Sequence, residues 1–98
     1  MPVAEFGGTI YTSQFSFSAT VDPANHTAVA SVDTDVLSTL VKSGDLVVAI
    51  PPATLEAGIA VQACHTVING AFKLRTTNAS AGAINPASAS WTFVVLRR

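Results

Sequence analysis

The stretch "VINGAFKLRTTN", residues 67–78, constrains this chain more than any other. Asn69-Gly70 is a dipeptide that closes two-residue β-hairpin loops, and the residues after it alternate at the period of two that a half-buried strand imposes. A tight loop sets register, because the residues flanking it must face each other. Counting outward, Ile68 is expected opposite Ala71, Val67 opposite Phe72, His65 opposite Leu74 and Ala63 opposite Thr76. Val61, Ala63, His65, Val67, Phe72 and Leu74 then share the apolar face, while Gln62, Cys64, Thr66, Lys73, Arg75 and Thr77 point the other way.

Lys73 and Arg75 are two of only five basic residues, and charged residues are 11% of the chain. An ordinary soluble domain carries about 25%. With 49% apolar residues the chain is not disordered, and its 98 residues suffice for one modest core. The surface must therefore be built largely from Ser, Thr, Ala, Asn and Gln, which lose water to a partner more cheaply than Lys and Glu do. A formal net charge of −1 gives no attraction for polyanions or membranes, so neither nucleic acid nor membrane is an expected partner. The N-terminal "MPVAEFGGTIYTSQ" lacks the basic and apolar regions of a signal peptide, and the one cysteine, Cys64, cannot form an intrachain disulfide; both suit synthesis in a reducing cytoplasm.

Strand patterns recur along the chain. "QFSFSATV", residues 14–21, sets Phe15, Phe17, Ala19 and Val21 against Ser16, Ser18 and Thr20. "DPANH" turns the chain, and "TAVASV", 27–32, resumes extended structure. "DTDVLSTLVKSGD", 33–45, reads equally as a helical turn or a strand. "LVVAI" before Pro51-Pro52 reads as a central buried strand, and "SWTFVVL", apolar on both rows, as a strand that is central or covered on both faces. About six to eight strands with little helix predict an all-β fold, an antiparallel β-sandwich or small jelly-roll-like barrel, over residues 13–98. Residues 1–12, with Pro2, Gly7 and Gly8, suit an extended N-terminal arm or a first strand.

No motif names a reaction. Cys64 and His65 are neighbours on a strand, point to opposite faces and do not converge on one ion, so His65 is expected at the edge of the core. Asp33 and Asp35 look like half of a calcium loop but lack its central Gly and closing Glu, and a loop or helix N-cap role is expected for them. There is no G-x-S-x-G, H-E-x-x-H or phosphate-binding glycine loop. No catalytic residue, cofactor or metal site is expected.

Residues 43–98 combine Gly-Asp before an apolar strand, Pro-Pro after it, "LEAG", a strand-turn-strand ending near "LRTTN", and "INPAS" before a final aromatic strand. This punctuation resembles that of small β-sandwich capsid decoration, or cement, proteins of tailed bacteriophages. The resemblance implies a virion structural protein that binds the outside of a phage head and bridges capsomers, with the major capsid protein and copies of itself, most often as a trimer, for partners. Contacts would then fall to Val3, Phe6 and Tyr11 of the arm and to Lys73, Arg75, Arg97 and Arg98. The alternative is a ligand-binding β-sandwich, a carbohydrate- or receptor-reading module, with Trp91 and Tyr11 stacking on sugar rings.

Overall fold

The computed structural model describes the backbone of residues 4–6 and 9–98 and the side chains from Tyr11 onward. It is all-β. In chain order the strands are β1 (Ala4–Phe6), β2 (Thr9–Tyr11), β3 (Ser13–Val21), β4 (Ser31–Leu37), β5 (Leu46–Ile50), β6 (Ile59–Ile68), β7 (Ala71–Asn78) and β8 (Ala89–Arg97). β1 and β2 pair as a short antiparallel ribbon, so part of the N-terminal segment is a paired strand rather than a bare extended arm. The other six form two antiparallel three-stranded sheets, ordered β3-β8-β5 and β4-β7-β6. Only the β6–β7 hairpin stays within one sheet, and every other connection from β3 onward crosses between layers, which makes a sandwich.

The core lies between the sheets. Trp91, Phe93 and Val95 of β8 meet Phe72 and Leu74 of β7, all but excluded from water. Phe93 centres an aromatic group: its ring lies 5.0 Å from Phe72, nearly perpendicular, 5.5 Å from Phe17 and 6.4 Å from Trp91. Each such ring buries more apolar area than any aliphatic side chain, and the edge-to-face pairing adds to it. β8 is thus the central strand of its sheet, as its two apolar rows predicted.

Three expectations are corrected. "LVVAI", expected to be central, is the edge strand β5; Leu46, Val48 and Ile50 face outward at 40, 47 and 48% exposure, and only Val47 and Ala49 turn in. A five-residue apolar run has the same pattern whether one face or both are covered, and the closing prolines cannot tell the cases apart. Asp33 and Asp35 stand in the middle of β4, not in a loop or at a cap, and "TAVASV" begins as the turn Thr27–Ala30 before the strand starts at Ser31.

The hairpin register also differs. Ile68 faces Ala71 as counted, but His65 faces Lys73, Cys64 faces Leu74 and Ala63 faces Arg75. Thr66 and Val67 together oppose Phe72, a β-bulge in which Thr66 takes φ +51°, and a second irregularity at Gln62 restores the phase. Among the turn residues only Gly70 has positive φ, the pattern of a type II turn, which twists the flanking strands less favourably than type I′ and leaves the ladder to adjust beyond it. The bulges point Val61, Cys64 and Val67 into the core and send His65 and Ala63 outward.

A polar pin closes the end of the sandwich near the start of β4. His26 is fully buried; its Nδ1 donates to Ala24 O (2.8 Å) and its Nε2 lies 2.7 Å from Thr76 Oγ1. Asn78, also buried, donates through Nδ2 to Gly82 O at 2.8 Å and accepts from Ser80 Oγ at 2.7 Å. The buried polar groups thereby satisfy one another while holding the 79–84 loop against β7.

Candidate docking surfaces

The two sheets present outer faces of opposite character. On the β4-β7-β6 sheet, charged residues stand opposite one another in register: Asp33 beside Arg75, Asp35 beside Lys73, and His65 on the next strand. Arg75 grips Asp33 through Nε (2.8 Å) and Nη2 (3.1 Å), and Lys73 reaches Asp35 at 2.7 Å. The Arg75 guanidinium, then His65, holds the Asp33 carboxyl well below the usual carboxylate range, and Asp35 raises the Lys73 ammonium. Lys73 and Arg75 do point outward, as the alternation required, but each already has a carboxylate. They are less available to an acidic partner than the sequence suggested.

His65 Nε2 donates to Asp33 Oδ1 at 3.1 Å, which leaves Nδ1 to accept from the Thr66 hydroxyl at 2.9 Å in the neutral ring. Hydroxyl, imidazole and carboxylate in line have the order of a nucleophilic triad. Here the same Asp33 oxygen is shared with Arg75 Nε, and the open face does not exclude water. Cys64 lies on the inner side of the same strand, where burial pushes its thiol up to about 11 and disfavours the thiolate. Among the described residues no group of three His, Cys, Asp or Glu side chains is gathered as a metal site requires.

Among the described residues the outer face of β3-β8-β5 carries no charge. β3 contributes Gln14, Ser16, Ser18 and Thr20, β8 contributes Thr92, Val94 and Leu96, and β5 contributes Leu46, Val48 and Ile50. Register sets Leu46 beside Leu96 and Val48 beside Val94; Leu96 is itself covered, at 6% exposure, so the exposed aliphatic stripe is Leu46, Val48 and Ile50 along β5. On the core side, β5 runs close to β6 with no ladder between them.

Arg97 and Arg98 lie at one end of the sandwich. Arg97 is committed to the fold: Nε and Nη2 donate to Asp45 Oδ1 and Oδ2 at 2.9 and 2.8 Å, Nη2 also reaches Leu40 O, and the guanidinium sits 5.2 Å above the Phe15 ring. Asp45 is 8% exposed, and Arg97 together with the Lys42 backbone N–H depresses its pKa. Arg98 is exposed and, with Lys42, Ser43, Gly44, Asp45 and Arg97, lines a depression of about 270 Å³. Lys42 was not singled out from the sequence; its place beside Arg97 follows only from the folding of the 38–45 loop onto the end of β8.

Of the arm residues, Val3 and the side chain of Phe6 lie outside the described residues. Tyr11 is buried, at 9% exposure, and Trp91 at 1%. Neither ring offers a face for stacking on a sugar, and the cleft that Trp91 lines with Pro23, Pro52 and Pro86 holds only about 100 Å³. The chain matches no family model, no curated protein and no solved structure.

Proposed function

We propose that this chain is a structural protein that docks on an assembled protein surface, of the capsid decoration kind, and that the uncharged face of the β3-β8-β5 sheet is what it docks with. The observation that carries this reading is the stripe of Leu46, Val48 and Ile50, each 40–48% exposed, on a face to which the described residues bring no charge. Monomers seldom leave neighbouring aliphatic residues in water without a use for them. Serine and threonine around the stripe keep the free protein soluble and can be desolvated for little cost once hydrogen-bonded to a partner. The major capsid protein of a phage head is the partner that fits this role.

The test is occupancy on purified heads of the phage that encodes the chain. Val48→Lys combined with Ile50→Lys places two charges on the stripe without touching the core, and should abolish docking while circular dichroism and Tm stay near wild type. Full occupancy by the folded double variant would refute the assignment of this face. Binding to a glycan array, lost on Trp91→Ala in a folded variant, would instead favour the ligand-binding module.

A further inference from the structure

We infer that the two ends of the sandwich are complementary and join one copy of the chain to the next, head to tail. One end is formed by the 38–45 loop, the Asn69-Gly70 turn and the end of β8; Gly70 N–H donates to Val41 O, and Ser43 N–H to Asn69 Oδ1. Three of the five cations, Lys42, Arg97 and Arg98, meet there around one carboxylate, Asp45. Next to this end, on the outer face of the second sheet, Leu37 and Ile68, 77 and 54% exposed, flank Ala71 across a groove of about 230 Å³ that the Asp35–Lys73 pair also lines.

The opposite end carries the reciprocal features. Asp22 is exposed where β3 ends, and Glu56 lies in the β5–β6 connection; neither makes an ion pair among the described residues, although Glu56 accepts from Ala87 N–H at 3.0 Å. In the turn Thr27–Ala30, Val29 stands 75% exposed with φ +59°. A β-branched residue in the left-handed region is strained, and an aliphatic side chain held there in water gains nothing from its own fold.

The layering makes the two ends match as a set. At both ends the apolar feature belongs to the β4-β7-β6 sheet and the charged feature to the side of the β3-β8-β5 sheet. In the proposed contact the next copy is offset toward the second sheet, so that its Val29 meets the Leu37–Ile68 groove while its Asp22 and Glu56 face Lys42 and Arg98. The rim charges set orientation and rate of encounter, and the buried valine supplies affinity. Such a contact is heterologous, closing into a ring or running on as a chain according to the rotation between copies. It goes beyond the docking reading and uses none of the same residues, so the outer face stays free to dock while neighbours touch at their ends.

The experiment is sedimentation velocity on the pure full-length chain across a concentration series at low and high salt. Wild type should self-associate as concentration rises, less so in salt. Val29→Gly suits the positive φ, so it should keep or raise Tm while weakening association roughly tenfold or more; a merely structural valine would leave association unchanged. Lys42→Glu with Arg98→Glu should abolish association, and mixing that variant with Asp22→Lys should restore mixed complexes. A monomer at every concentration in low salt would overturn the inference, as would association indifferent to both Val29→Gly and the charge reversals. Val48→Lys with Ile50→Lys should leave self-association intact, so loss of head docking and loss of end-to-end contact are read separately; association abolished by that variant and untouched by Val29→Gly would assign the interface to the outer face and refute the ends.

Discussion

The two sheets are close in size and face one core, yet their outer faces differ completely. β4-β7-β6 gathers Asp33, Asp35, Lys73, Arg75 and His65 into paired contacts, while β3-β8-β5 shows water only hydroxyls, an amide and aliphatic side chains. Two opposite-charge pairs on one outer face cancel each other, while the other outer face, built from uncharged residues, is nearly free of desolvation cost. Charge scarcity is therefore local in its effect: one face is fixed to itself, and the other leaves aliphatic side chains in water.

The comparison predicts that the sheets are alike inside and unlike outside. Phe93→Ala in the first sheet and Phe72→Ala in the second should each cost about 3–5 kcal/mol in denaturant unfolding, because both rings are fully buried in one cluster. A large difference between the two would mean that the layers do not share a core. Asp45→Ala should come next, at about 2 kcal/mol, since it strands Arg97 and the Lys42 N–H at the end of the first sheet. The Asp45 contribution carries a pH signature: its folded-state pKa lies below the ordinary 3.8, so the stabilisation is complete above about pH 4 and is lost as pH falls through the folded value. A wild-type minus Asp45→Ala difference that stays constant through the acid range would refute that linkage.

Smaller effects separate the faces further. Thr34→Val removes a buried hydroxyl that has no hydrogen-bond partner and should gain up to about 1 kcal/mol, read as a rise in the urea midpoint. Val48→Lys, on the exposed stripe, should change stability by less than about 0.5 kcal/mol while removing docking. Asp33→Asn should be the mildest of the ion-face changes, a small Tm loss that shrinks further as salt is added, because the pair is open to water. If its effect were large and indifferent to salt, the ionic face would have to be counted as part of the core.

Much of the fold is readable in the residues. The alternation of β3, the two apolar rows of β8, the extents of β6 and β7 and the Ile68–Ala71 closure all follow from period-two patterning and turn chemistry. The bulges at Gln62 and Thr66 are not readable, because neither position holds the glycine that would advertise a special backbone conformation, and the side chains that the bulges redirect, Cys64 and His65, are adjacent and of middling polarity. Of the candidate contacts, Lys73 and Arg75 were legible as outward-facing, but their partners Asp33 and Asp35 were not, since those sit far away in sequence on a segment whose pattern served helix and strand equally. The same holds for the commitment of Arg97 to Asp45 and for the gathering of Lys42 with Arg98.

By itself the sequence determined an all-β domain with a neutral surface, because alternation, turn residues and composition act locally or sum over the whole chain. Only the tertiary structure decided which strand is an edge, which cation is already paired and where the uncovered aliphatic residues collect. Those depend on which segments meet across the sheets, and a pairing between residues tens of positions apart leaves no periodic trace in either.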